Sequence, residues 1–205
     1  MLPQIVIIHG GHVFSKREDT ISYLKNKQVT ANDFKPAKSW RENLANNFGK
    51  DFELFYPKMP NGQDAKYEEW KTWFEKLIPF LHDDVILVGH SLGGLLLIKY
   101  LSENEFPKKI RALFTVATPY TGRNMKHSRE MGGTFTPGND LSGVTRQVNK
   151  LFMYHSKEDP VVPFADFEMY QTKLSGATAR VFENRGHFNM ETLPEIVEDI
   201  KELEK

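Results

Sequence analysis

The sequence predicts an α/β architecture: a doubly wound, mostly parallel six-stranded sheet with helices on both faces. Short apolar runs of strand length alternate with segments of helical periodicity along the whole 205-residue chain. The runs, among them "IVII" and "VILV", are continuously apolar, as suits strands covered on both faces. Strand-helix-strand alternation gives a parallel sheet, and right-handed crossovers put helices on both of its faces. In such a sheet ligands sit at the carboxyl ends of the strands, so functional residues should follow strand ends and core residues should lie within them.

The elements follow in order. "QIVIIHG" (4–10) is a strand running into a Gly-rich turn. "SWRENLANNF" (39–48) is a helix with Trp40, Leu44 and Phe48 on one face. "DFELFYP" (51–57) is a second strand, closed by Pro57 and Pro60. Residues 67–81 place Trp70, Trp73, Phe74, Leu77 and Ile78 on one helical stripe, which reads as core packing. A strand "VILVGH" (85–90), a helix "LGGLLLIKYL" (92–101) and a strand "IRALFTVAT" (110–118) come next. "KLFMYHS" (150–156), a helix near 164–174, "ARVFEN" (179–184) and a final helix 192–204 complete the pattern. Two segments, 12–38 and 119–149, carry no sustained apolar period and read as long loops on the carboxyl face.

Composition narrows the function classes. Lys plus Arg and Asp plus Glu number 27 each, so no global field favours nucleic acid or an anionic membrane. With no cysteine there are no disulfides, thiolate metal sites or Cys nucleophiles, as suits a reducing compartment. The N-terminus "MLPQIVIIHGG" lacks the basic region and cleavage site of a signal peptide, and no apolar run reaches membrane-span length. The expectation is a soluble cytoplasmic protein of one domain, residues 1–205, monomeric or a small homo-oligomer. Neither a phosphate-binding Gly-x-x-x-x-Gly-Lys loop nor a Gly-x-Gly-x-x-Gly fingerprint is present, so nucleotide chemistry has no support.

The chemistry centres on "GHSLGG" (89–94), between a predicted strand and a predicted helix. A Gly-x-Ser-x-Gly turn there forces the serine into strained geometry, exposes its Oγ, and needs Gly89 and Gly93 so that the chain can close. A serine hydroxyl needs a base. Of seven histidines, His187 follows the last strand and a glycine, at the correct edge of the sheet. His90 flanks the turn and is expected to point away, His82 is expected to cap a helix, and His155 to pack within a strand. The base needs an orienting carboxylate at a third strand end, and Asp159 in "HSKEDPVVP" supplies it; Glu158 and Asp166 are the other carboxylates in reach. The order Ser91, Asp159, His187 is the one this turn takes on this fold. A backbone N–H of Leu92 and one from Gly11 or His12 in "HGGH" complete an oxyanion hole. His9 and His12 as metal ligands lack a third ligand at metal spacing, so neither metal nor cofactor is implied.

On "IIHGGH", "PKMPNG", "VGHSLGG", "HSKEDPVVPF" and "NRGHFN" the chain resembles the α/β-hydrolases, and specifically the small, lid-poor serine hydrolases related to retinoblastoma-binding protein nine. The resemblance spans nearly the whole chain. It implies a minimal fold of six strands and hydrolysis of esters or amides; segments 12–38 and 119–149 are longer than a minimal member needs, which leaves room for at most a partial lid. The retinoblastoma-binding motif of that namesake requires a Cys, so that interaction does not carry over. The expected activity is a carboxylesterase-like serine hydrolase cleaving small to medium acyl esters, its partner a small-molecule ester. An acyltransferase, thioesterase or peptidase with the same triad stays open, as does a catalytically silent binding module on this scaffold.

Overall fold

Gln4–Ile8 forms β1, buried along its full length and alternating its side chains between two cores. The computed structural model describes residues 2–35, 38–120 and 133–204. The further strands are β2 (Glu53–Phe55), β3 (Val85–His90), β4 (Ile110–Val116), β5 (Val148–Ser156) and β6 (Thr178–Phe182). They make one six-stranded sheet in the order β2-β1-β3-β4-β5-β6, and every pairing is parallel. This is the minimal α/β-hydrolase fold that the sequence predicts.

One core joins Val6, Ile8 and Leu87 to α3 (Tyr67–Leu77), α4 (Leu92–Glu103), α5 (Ser142–Gln147) and α6 (Phe164–Lys173). The other joins Ile5, Ile7, Ile86 and Val88 to α2 (Trp40–Phe48) and α7 (Pro194–Glu202). Trp40, Leu44 and Phe48 are all buried there, as their spacing requires, whereas Trp73, at the margin of its stripe, is half exposed. Fully burying a large apolar side chain contributes about 1.5–3 kcal/mol relative to exposure, so the two cores together dominate the stability of the sheet.

The chain passes from β1 out to β2, then returns across β1 to β3 and proceeds to β6. The direction of winding therefore reverses between β1 and β3, and the crevice outside their carboxyl ends is where such sheets hold ligands. Ile8 pairs with Gly89 in that register, which sets the "HGGH" turn directly beside the Ser91 turn.

The two segments expected to be loops contain helices. Arg17–Asn26 is α1, a surface helix burying only Thr20, so no apolar stripe betrays it. Its signature is electrostatic: Glu18 and Asp19 in the first turn and Lys25 in the last match the helix dipole. In the second segment Asp140 Oδ1 accepts the Ser142 N–H (2.9 Å) to start α5, and residues 121–132 lie outside the described residues. Pro79 ends α3 earlier than expected, leaving a short 3₁₀ turn at Ile78–Phe80.

Candidate active site

Ser91 leaves β3 with φ 53° and ψ −121°, a left-handed conformation that costs a non-glycine residue on the order of 1–3 kcal/mol. The strain is held by its surroundings. The Ser91 N–H donates to Val116 O (2.8 Å) on β4, and Ser91 O accepts from Gly94 N (3.0 Å) in the first turn of α4. Glycine is required next door, because a Cβ on Gly93 would collide with the Ile8 carbonyl and one on Gly89 with the backbone of Gly94. Gly94, which the sequence reading left without a role, packs equally tightly against Thr118 Oγ1.

The structure brings the three sequence-predicted residues together. His187 Nε2 lies 3.0 Å from Ser91 Oγ, and His187 Nδ1 lies 2.8 Å from Asp159 Oδ2 and 3.1 Å from Asp159 Oδ1. With Nδ1–H given to the carboxylate, Nε2 is left to accept the serine proton. The Asp159 side chain is fully buried and also accepts the Val161 and Val162 N–H groups (2.8 and 3.0 Å), which fixes its plane. Glu158 instead accepts from Ser156 Oγ (2.9 Å) and Gly186 N (3.0 Å), bracing the loop that carries His187. Asp166 accepts the Tyr120 N–H (2.9 Å), away from the imidazole.

Sequence reasoning missed how that loop is held. Alternation along β3 puts His90 on the face of Ile86 and Val88, beneath α2, and there its ring centroid lies 5.0 Å from that of His187. His90 Nδ1 accepts from Arg41 Nη1 (3.2 Å), and Nε2–H donates to the His187 carbonyl (2.9 Å). His90 thus points away from the turn, as expected, but its ring meets the backbone of the candidate base. Burial first, and then the Arg41 charge, hold His90 well below the ordinary imidazole range, so it is neutral. The first turn of α2 continues the clamp. Trp40 Nε1 donates to Phe188 O (2.9 Å), Trp40 N to Met190 O (3.0 Å) and Asn43 Nδ2 to Glu191 O (2.8 Å). Ser39 and Glu42 cap that turn reciprocally, the Ser-x-x-Glu box being visible in the sequence. Phe188 itself takes φ 54°, and complete burial of its ring offsets that strain.

Gly11 and Leu92 line the same cavity as Ser91 and His187, a cleft of about 460 Å³. The His12 N–H is bonded to Gly62 O (2.9 Å), which removes it as an oxyanion donor and leaves Gly11 of the two alternatives. A Cβ on Gly11 would meet Gly62 O at 2.9 Å and the Trp70 ring at 3.1 Å, whereas one on Gly10 would reach Ser91 Cβ at 3.0 Å. The close approach to the serine is therefore made by Gly10, and Gly11 is glycine because the Gly62 carbonyl and the Trp70 ring crowd it. His9 donates Nδ1–H to Gly10 O (2.6 Å) and accepts the Met59 N–H at Nε2 (2.9 Å), so both its nitrogens brace the turn. His82 follows the 3₁₀ turn at Ile78–Phe80, and its backbone N–H donates to Gln4 Oε1 (2.9 Å). His155 packs in β5, with Nε2 bonded to Val162 O (3.0 Å). Among the described residues no group of three His, Asp or Glu could hold a metal ion, and no helix is long and apolar enough to cross a membrane.

A family model described as serine hydrolase matches residues 32–200. The Bacillus subtilis (strain 168) protein YdeN, which carries the name of a hydrolase, is 24% identical over 131 residues, 63% of this chain and 67% of that protein. The solved structure of the B. subtilis ydeN gene product superposes with a TM-score of 0.71 at 17% identity, covering 98% of both chains. The esterase EaEST of Exiguobacterium antarcticum gives a TM-score of 0.60 at 16% identity, covering 100% of this chain and 93% of that one. A thioesterase domain from the curacin biosynthetic pathway gives 0.60 at 13% identity, covering 98% and 90%. At such identities these superpositions establish the fold, and the family match extends from α2 to α7. The chain is a hydrolase of the serine hydrolase family, within the α/β-hydrolase superfamily.

Proposed function

We propose that this hydrolase is a carboxylesterase-like enzyme that cleaves small to medium acyl esters through a Ser91–His187–Asp159 triad. The observation that carries the reading is the unbroken chain from Ser91 Oγ through both imidazole nitrogens to a buried carboxylate. Ser91 Oγ attacks the ester carbonyl as its proton passes to His187 Nε2. The imidazolium so formed is stabilised by Asp159, which holds the tautomer. The carbonyl oxygen becomes an oxyanion facing the N–H groups of Leu92, at the start of α4, and Gly11. His187 then returns the proton to the alkoxide as the C–O bond breaks and alcohol leaves. Water, deprotonated by His187, attacks the acyl-enzyme, and a second collapse frees the acid and regenerates Ser91.

A cleft of about 460 Å³ suits a small or medium acyl ester. The esterase among the structural neighbours is consistent with this chemistry, and the thioesterase domain makes a thioester the natural second substrate to assay. The test is intact-mass spectrometry after brief exposure to a fluorophosphonate, on wild type, Ser91→Ala and His187→Ala. One adduct on wild type, located at Ser91 and absent from both variants, is expected. A folded wild type that takes no adduct overturns the proposal and leaves a binding module on a hydrolase scaffold.

A further inference from the structure

The cavity beside Ser91 has an electrostatic asymmetry that hydrolysis of a neutral ester does not call for. Of the described residues lining it, one is arginine, four are histidines and none is acidic. Asp159, the one nearby carboxylate the mechanism uses, lies behind His187 and is fully buried.

The arginine is Arg41, in the first turn of α2. Its guanidinium sits over the Trp40 ring (5.5 Å) and gives one hydrogen bond, to His90 Nδ1. None of the ion pairs among the described residues includes it, and its Nε is buried with no hydrogen-bond partner. The adjacent acid, Glu42, is occupied by Ser39. A guanidinium carries five N–H donors in a planar fork suited to a carboxylate, and a buried donor left unpaired is unfavourable until a ligand meets it. Of the neighbouring imidazoles, His9 and His90 are both lowered by burial first, and the Arg41 charge pushes them in the same direction, so neither competes for an anion.

We infer that Arg41 is a specificity determinant and that the enzyme's substrate is an ester bearing a carboxylate, whose charge pairs with the guanidinium while its ester carbonyl lies at Ser91. This deepens the esterase reading and rests on it. The carboxylate can sit on the acyl or on the alcohol side of the ester, and paired substrates separate the two.

The test compares kcat/KM within two pairs: mono-para-nitrophenyl glutarate against para-nitrophenyl pentanoate, and para-acetoxybenzoate against its methyl ester. Wild type should favour the anionic member of at least one pair by about ten- to hundredfold, as a charge-assisted hydrogen bond predicts. Arg41→Gln should collapse that ratio towards one, and Arg41→Lys should retain part of it. Because the ratio is taken within one variant, a general loss of activity through His90 cancels. If wild type cleaves the neutral esters and takes a fluorophosphonate adduct but shows no anionic preference in either pair, this inference is overturned and the esterase reading stands. Arg41→Gln lowering both members equally overturns it too, leaving the side chain a structural brace. With no neutral ester cleaved and no adduct, both readings fall.

Discussion

His90 Nε2 lies 2.9 Å from the main-chain oxygen of His187, so the residue before the candidate nucleophile holds the backbone of the candidate base. Strand alternation and a sharp turn make this possible: Ser91 and His90 leave β3 on opposite sides, Ser91 Oγ towards the imidazole of His187 and His90 towards Arg41 of α2 and the His187 carbonyl. The two halves of the site are thereby tied together through a neutral imidazole rather than through an ion pair.

Replacing His90 by Phe should lower kcat/KM by about ten- to hundredfold through misplacement of His187, while His90→Gln, which keeps an N–H donor, should recover most of the loss. Steady-state kinetics with denaturation midpoints measured alongside decides it. Equal activity loss in both variants at unchanged stability would show that the bond to His187 does not position the base.

Asp159→Asn should leave the fold intact and reduce kcat on the order of 10⁴-fold, because the amide favours the wrong imidazole tautomer. Glu158→Gln, which touches the loop rather than the ring, should cost far less. If Glu158→Gln were the more damaging in the same ester assay, the orienting carboxylate would have been misassigned.

The strain at Ser91 predicts an inverse relation between stability and activity. Ser91→Gly should be inactive yet about 1 kcal/mol more stable than Ser91→Ala, since glycine accepts φ 53° and alanine does not. Urea titrations of the two inactive variants read this directly, and equal midpoints would mean the turn is unstrained.

Gly93→Ala should destabilise by at least about 3 kcal/mol or prevent folding, because the added methyl meets the rigid Ile8 backbone rather than a mobile side chain. Gly138→Ala, with open space around its Cβ, is the matched control and should be near neutral. Soluble yield and urea midpoints of the pair are the readout.

Stability should fall as pH drops below about 6.5. Burial lowers His9, His90 and His155 from the ordinary imidazole value of about 6.5, so the unfolded chain binds protons below it that the folded chain refuses. The unfolded state binding more protons means that stability rises with pH, by at most about 1.4 kcal/mol per pH unit for each group. His155→Gln should flatten that slope below about pH 6.5, even though it lowers stability at neutral pH. An unchanged slope would exclude His155 as a contributor.

The sequence by itself determined the sheet, the direction of its strands and the three residues that meet at its edge. Continuous apolar runs separated by helices are the pattern of a parallel sheet covered on both faces, and the Gly-x-Ser-x-Gly turn admits few other backbones. Strand ends then supplied His187 and Asp159, because this fold gathers strand ends on one side. Helix α1 escaped that reading, since a helix that buries one threonine has no apolar period to read. Only the tertiary structure shows why Asp159, which the sequence favours over its neighbour Glu158, is the one to meet the imidazole: the two side chains leave the loop in different directions. The same holds for His12, whose N–H is consumed by Gly62 from a distant loop, and for Arg41 and His90, which meet across 49 residues. Periodicity records which face a residue must bury; which polar group it meets there depends on how separate elements dock, and that is set by packing in three dimensions.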